Sequence, residues 1–263
     1  MFSDHEIQND FPDLRPSNMK RAGRASFENA IGMAWTTYLG GGNPPTFPGK
    51  TYFNFDYGDS SFFFVDTRVE RVSNKLPDSP TKTILGSAQK SALKDWLQDK
   101  NTTSKFKFVM SPLAFTHDFP SVIDSWGGYK TERDEIFEFI RDNRIEGVVF
   151  FTGDSHFAYA VELGGAPGGM RGGLYEFSAS PISAFDFSLG GFLTDPTFVP
   201  EEEREDRLLF EYTGRMGPMS LLGLTRVDTT KAVPEISVEF YDGTTHIFTA
   251  NLTLEMLRPW ESA

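Results

Sequence analysis

An α/β fold is predicted, and three observations predict it. Twice, a helix-spaced amphipathic segment is followed by an apolar run of strand length, the alternation that builds a layered, largely parallel sheet. The second such run is the clearest: Val148-Val149-Phe150-Phe151 passes without a polar break into Thr152-Gly153-Asp154-Ser155-His156. Four successive apolar residues read as a strand buried on both faces. The third observation is the tail, where strand-length segments at 221–227, 235–241 and 245–254 follow one another without a helix between them. The last two meet at Asp242-Gly243, a hairpin turn signal. This antiparallel tail is expected to complete a second sheet packed on the first.

Taken in order, the chain opens on a polar block, Ser3-Asp4-His5-Glu6-Ile7-Gln8-Asn9-Asp10, in which two carboxylates flank an imidazole. As an ordinary terminus it would simply be solvated. Phe27, Ala30, Ile31, Ala34 and Tyr38 keep helical spacing, and a Gly/Pro-rich stretch from Gly40 to Pro45 ends that helix. Residues 51–65 read as a hairpin turning at Tyr57-Gly58-Asp59-Ser60, and it delivers Asp66-Thr67-Arg68 at a strand end. Residues 73–83 form a loop. A helix over 87–98 places Leu93, Trp96 and Leu97 on one face, and a strand over 105–110 stops at Ser111-Pro112. The second helix has Thr131 as its N-cap, Glu132 and Asp134 in its first turn, and Ile136, Phe139 and Ile140 as its buried stripe. It leads into the apolar run at 148. Residues 159–163 and 174–178 are short strands joined by a glycine-rich loop, 164–173. That loop lacks the strand-before, helix-after setting of a phosphate cradle and reads as a plain connection. There is no repeat and no linker, so 1–263 is expected to form a single domain, with 220–255 completing the second sheet.

Composition narrows the function. At 263 residues the chain can build its core without staples. It has no cysteine, which excludes disulfides and thiolate metal sites. A net charge of −12 argues against a nucleic-acid-binding surface. The 26 phenylalanines and 24 glycines suit a sheet- and loop-rich globular protein. No apolar run reaches transmembrane length, and the first residues lack the pattern of a signal peptide. Localisation is left open.

The chemistry concentrates after the buried strand. Gly153 is expected to let the chain turn out of the strand, handing Asp154 and His156 to a crevice at its carboxyl end. At i and i+2 they can face one ion, and carboxylate with imidazole suits zinc, iron or manganese better than calcium alone. A turn acid beside a surface histidine weighs about equally on spacing alone. His117, in a loop, is a candidate extra ligand but reads as solvated. His246, on the tail hairpin, reads as structural. Neither a Gly-x-Ser-x-Gly elbow nor a His-Glu-x-x-His helix is present.

With these pieces placed, the chain resembles the PhoD-like alkaline phosphatases, a branch of the calcineurin-like metallophosphoesterases. Five segments carry the resemblance in the family's order. They are the block Ser3–Asp10; Phe64-Val65-Asp66-Thr67-Arg68; Trp96-Leu97 with Lys105-Phe106-Lys107-Phe108; Trp126-Gly127-Gly128-Tyr129 with Glu132-Arg133; and Gly153-Asp154-Ser155-His156. The resemblance implies a metallophosphoesterase-like α/β sandwich of two mixed β-sheets flanked by helices, with a two-metal site at the strand ends. It implies metal-dependent hydrolysis of phosphate mono- or diesters by a metal-bound hydroxide, with iron and calcium as the metals and zinc or manganese as alternatives. Asp4 matches a metal-ligand position, His5 the histidine that protonates the leaving group or steadies the transition state, and Asp154 and His156 the last ligand pair. Arg133 could grip a phosphate oxygen or be a helix-surface arginine. Trp126 and Tyr129 would line the pocket wall. The pattern also departs from the family. Its early ligands precede the Asp-His-Glu block, which here begins at residue 4, and Ser3 stands where the family has Asp. The domain is therefore expected to be N-terminally incomplete, with a reading frame continuing upstream of Met1. The alternative is a non-catalytic remnant or binding module that holds at most one ion.

Overall fold

A computed structural model describes residues 30, 33, 34, 37, 42–119, 124–165, 172–180, 184–185, 200, 203–213 and 218–260. The expected helix over 27–38 lies mostly outside them, and the block around Asp4 and His5 lies wholly outside. Two strands, β1 (Phe53–Tyr57) and β2 (Ser60–Phe64), form the expected hairpin, with Gly58 at φ 57° in its turn. Helix α1 (Gly86–Thr103) leads to β3 (Phe106–Met110), and α2 (Lys130–Asp142) leads to β4 (Val148–Thr152). Then come β5 (Ala158–Leu163), β6 (Leu174–Ala179), the short β7 (Ala184–Phe185), β8 (Arg207–Tyr212) and the short β9 (Pro218–Met219). The tail is β10 (Leu221–Asp228), β11 (Glu235–Asp242) and β12 (Thr245–Thr253).

The large sheet runs β1-β2-β3-β4-β6-β5-β8. Its centre, β2, β3, β4 and β6, is parallel, and β1, β5 and β8 are antiparallel to their neighbours. Parallel neighbours need long crossovers, which α1 and α2 supply. Period-two alternation then sorts the β4 side chains. Val148 and Phe150 join a core that includes Trp96, Leu97, Ile136 and Phe137 from the helices. Val149 turns to the opposite face and packs with Ile236, Val238 and Phe240 of the tail. The apolar run is therefore a strand buried on both faces because helices cover one side and a second sheet covers the other.

The tail strands form a three-stranded antiparallel sheet, β10-β11-β12. Stacked rings tie the layers together: Phe210 of β8 lies 4.3 Å from Phe248 of β12 and 5.7 Å from Phe240 of β11. Burial of one such ring stabilises by about 1.5–3 kcal/mol.

Three local expectations are corrected. Thr131 is not an N-cap, because a 3₁₀ turn over Trp126–Tyr129 runs straight into α2 and Ser125 caps that turn through the Gly127 N–H. Thr131 instead bonds Asp78 through its N–H and hydroxyl. In the buried stripe Phe137 takes the core position, while Phe139 is half-buried beneath the Lys94 ammonium. Finally, Gly153 keeps an ordinary backbone. The left-handed residues are Asp154 and His156, each at φ 60°. Asp and His tolerate that region better than most side chains, so the turn needs no glycine.

Candidate functional site

The parallel strands end on one rim, and polar groups collect there. Beyond β2, Asp66 is buried, its N–H donating to Gln89 Oε1 (2.7 Å) and its carbonyl accepting from Gln89 Nε2 (2.7 Å). Its carboxylate accepts the Arg68 and Val69 N–H groups and the Thr51 hydroxyl. Burial nevertheless outweighs these bonds and raises the Asp66 pKa. Held by this turn, Arg68 lies fully buried and reaches two carboxylates: Nη1 is 2.5 Å from Asp124, and Nη2 is 3.8 Å from Asp154. Arg71 holds the other oxygen of Asp124 at 2.5 Å.

Beyond β4 comes the turn carrying Asp154, which is exposed, and His156, which is half-buried. Two non-glycine residues at positive φ within three positions store strain of about 1–3 kcal/mol each, which the surroundings must hold. Ser155 contributes: its hydroxyl donates to the Phe157 carbonyl (2.8 Å) and lies 2.9 Å from the Ser178 hydroxyl. Thr152, before the turn, and Tyr159, after it, both donate to Glu176 Oε1 (2.8 and 2.7 Å), which also accepts the Phe115 N–H (2.9 Å). Glu176 is fully buried on β6, and burial pushes its carboxyl up to about 7 against the pull of those bonds.

The donor set on the turn, one carboxylate and one imidazole, has the chemistry a transition-metal ion requires. Among the described residues no group of three or more His, Asp or Glu side chains converges to hold an ion. Asp154 and His156 are thus a pair that needs further donors. Asp4 and His5, the sequence candidates for the same rim, lie outside the described residues.

The other candidates are built into the interior. Arg133, on α2, is fully buried. It donates to the Phe115 carbonyl (3.1 Å), the Thr116 carbonyl (3.4 Å) and Asp134 (3.1 Å), while its Nη2 has no hydrogen-bond partner among the described residues. Trp126 is also fully buried and stacks on Phe115 with centroids 4.5 Å apart. The Tyr129 hydroxyl accepts from Arg71 Nε (2.7 Å) and donates to the Val72 carbonyl (2.5 Å), and Lys82 sits 4.4 Å above its ring. Trp126 and Tyr129 therefore back the loops behind the rim, and Arg133 ties the loop after β3 to α2.

His117 overturns the solvated reading. It is buried, with Nδ1 2.9 Å from Asp206 and Nε2 3.2 Å from Asp134 and 3.5 Å from Glu205. His246 pairs with Thr249 on the exposed tail hairpin (2.7 Å). Sequence reasoning assigned no role to Arg68, Asp124, Glu176 or Asp206. Two of them carried a local signal: Arg68 stands in the polar group at the end of β2, and Glu176 is an acid inside the buried strand Leu174–Ala179.

Comparison with known proteins agrees with this architecture. A family model described as PhoD-like phosphatase matches residues 1–230. Alkaline phosphatase D of Bacillus subtilis (strain 168) is 28% identical over 188 residues, covering 62% of this chain and 31% of the relative. A solved structure of PhoD superposes with a TM-score of 0.62 at 19% sequence identity, covering 96% of this chain and 54% of that one. The fold is shared with that structure. The chain spans about a third of the curated relative and about half of the solved PhoD chain.

Proposed function

Because this chain belongs to the PhoD-like phosphatase family, we propose that it acts as a metal-dependent phosphoric ester hydrolase whose site includes the strand-end turn after β4. The observation that carries the reading is the turn over 153–157, which holds Asp154 and His156 two positions apart just beyond the carboxyl end of a parallel strand, each at φ 60°. Asp154 and His156 would hold a metal ion together with Asp4, and His5 would protonate the leaving oxygen of a phosphate mono- or diester. Metal ions held there, iron with calcium or else zinc or manganese, would supply the Lewis acidity that activates a water and offsets charge on phosphate. Arg68, 3.8 Å from Asp154, sets a buried positive charge beside that carboxylate. Arg133 holds the loop after β3 beneath the rim. Among the described residues no helix is long and apolar enough to cross a membrane.

The test is metal content with turnover. The purified chain is loaded with iron, calcium, manganese or zinc, and p-nitrophenyl phosphate and its bis ester are assayed. Hydrolysis that His156→Ala lowers about a hundredfold or more, with bound metal lost, is the expected outcome. Metal binding and turnover indifferent to both His156→Ala and Asp154→Ala would place the chemistry elsewhere. One bound ion with no turnover would identify a non-catalytic module.

A further inference from the structure

We propose that Glu176 is the positioning residue of the metal-binding turn, holding both of its stems with a single carboxylate oxygen. The proposal rests on the reading of Asp154 and His156 given above. Glu176 Oε1 gathers the Thr152 hydroxyl from the last residue of β4, the Tyr159 hydroxyl from the start of β5, and the Phe115 N–H from the loop after β3. Thr152 stands two residues before Asp154, and Tyr159 stands three after His156. The Thr152 and Tyr159 hydroxyls also lie 3.1 Å from each other. The two stems are therefore pinned to one point on the neighbouring strand.

Such a pin is needed because the turn between the stems holds two side chains at φ 60°, a backbone that persists only where its surroundings over-determine it. Packing alone would be served by an apolar residue at 176, since its cross-strand partners Phe150 and Val161, and Leu174 two residues along β6, belong to one core cluster. An acid there gains instead three hydrogen bonds accepted by one oxygen. Its second oxygen, Oε2, is buried and has no hydrogen-bond partner among the described residues. A group that costs burial on one oxygen and serves three separate elements with the other is placed for orientation. Groups that orient metal ligands from behind typically change metal affinity about 10–100-fold when removed.

The experiment reads the turn with and without metal. The chain has four histidines, so imidazole nitrogen–proton correlation spectra give few signals, and His156→Gln and His246→Gln assign the two that matter. Mn²⁺ affinity is measured alongside by the loss of the free-ion paramagnetic resonance signal. Glu176→Gln, Thr152→Val and Tyr159→Phe should each move or broaden the His156 signal, leave His246 unchanged, and weaken Mn²⁺ about tenfold. The single-donor variants keep the carboxylate and cover the case in which Glu176→Gln does not fold. A His156 signal and Mn²⁺ affinity unchanged in all folded variants overturns the proposal. A His156 signal that moves in a chain binding no Mn²⁺ supports the positioning role and removes the metal reading instead.

Discussion

At the scale of single residues, His117 shows how one imidazole joins three parts of the chain. Burial by itself would favour its neutral form, but the hydrogen bonds to Asp134 and Asp206 outweigh burial and raise its pKa. Arg133 opposes that charge from α2, and Glu205 faces the same ring nitrogen as Asp134. A histidine raised on folding contributes stability that is complete below its unfolded value of about 6.5 and fades as pH climbs through the folded value. The stability gap between the unmodified chain and His117→Gln, from urea unfolding, is therefore expected to be widest near pH 5.5 and to narrow by about pH 9. A gap that widens with pH would mean that the ring is held neutral. Asp118 next door, pushed up to about 6 mainly by burial and lowered by the His117 charge, is coupled to that ring, so both proteins are compared in an Asp118→Asn background. None of this was legible from sequence, because Asp206 lies 89 positions from its partner and a loop histidine carries no local mark of burial.

At the scale of elements, the two helices matter through what their first turns hold. Glu132, in the first turn of α2, is buried and does not serve its own helix. Its carboxylate accepts the Ile84 N–H (2.6 Å) and the Thr83 hydroxyl (2.5 Å), with the Leu85 N–H at 3.4 Å. It therefore binds the start of α1 to the start of α2. Glu132→Ala leaves buried donors unpaired and should cost about 2 kcal/mol of stability in chemical denaturation. An effect within about 0.5 kcal/mol would show that water replaces the carboxylate. The acid's place in the first turn was readable from the motif, but its partner was not. The same holds for Gln89, whose side chain fixes both polar groups of the Asp66 peptide.

At the scale of the whole molecule, seven strands face three. The tail sheet covers β6 and β8, and beyond the β10 edge a groove of about 420 Å³ opens over Phe62, Phe108, Met110 and Phe151. Leu222 on β10 is 54% exposed, and no strand pairs with the outer edge of β10 among the described residues. Apolar grooves and unpaired edges attract apolar probes and other strands. The purified chain should therefore brighten an environment-sensitive apolar dye, and Leu222→Lys should dim it severalfold while shifting stability by less than about 0.5 kcal/mol. Equal brightness in both proteins would mean that other residues cover the groove.

Elements whose identity rests on local spacing were determined by the sequence alone. The β4 run, both helices, the two hairpins and the delivery of Asp154 and His156 at a strand end all follow from apolar period and turn chemistry, which act over a few residues. Only the tertiary structure decided that Gly153 is an ordinary residue, that Trp126, Tyr129 and Arg133 stand behind the rim, and that Arg68 from the loop after β2 and Glu176 on the neighbouring β6 approach the turn and its stems. Each of these depends on which buried donor meets which acceptor across the sheet. That pairing is set by strand order and register, and no stretch of sequence contains both partners.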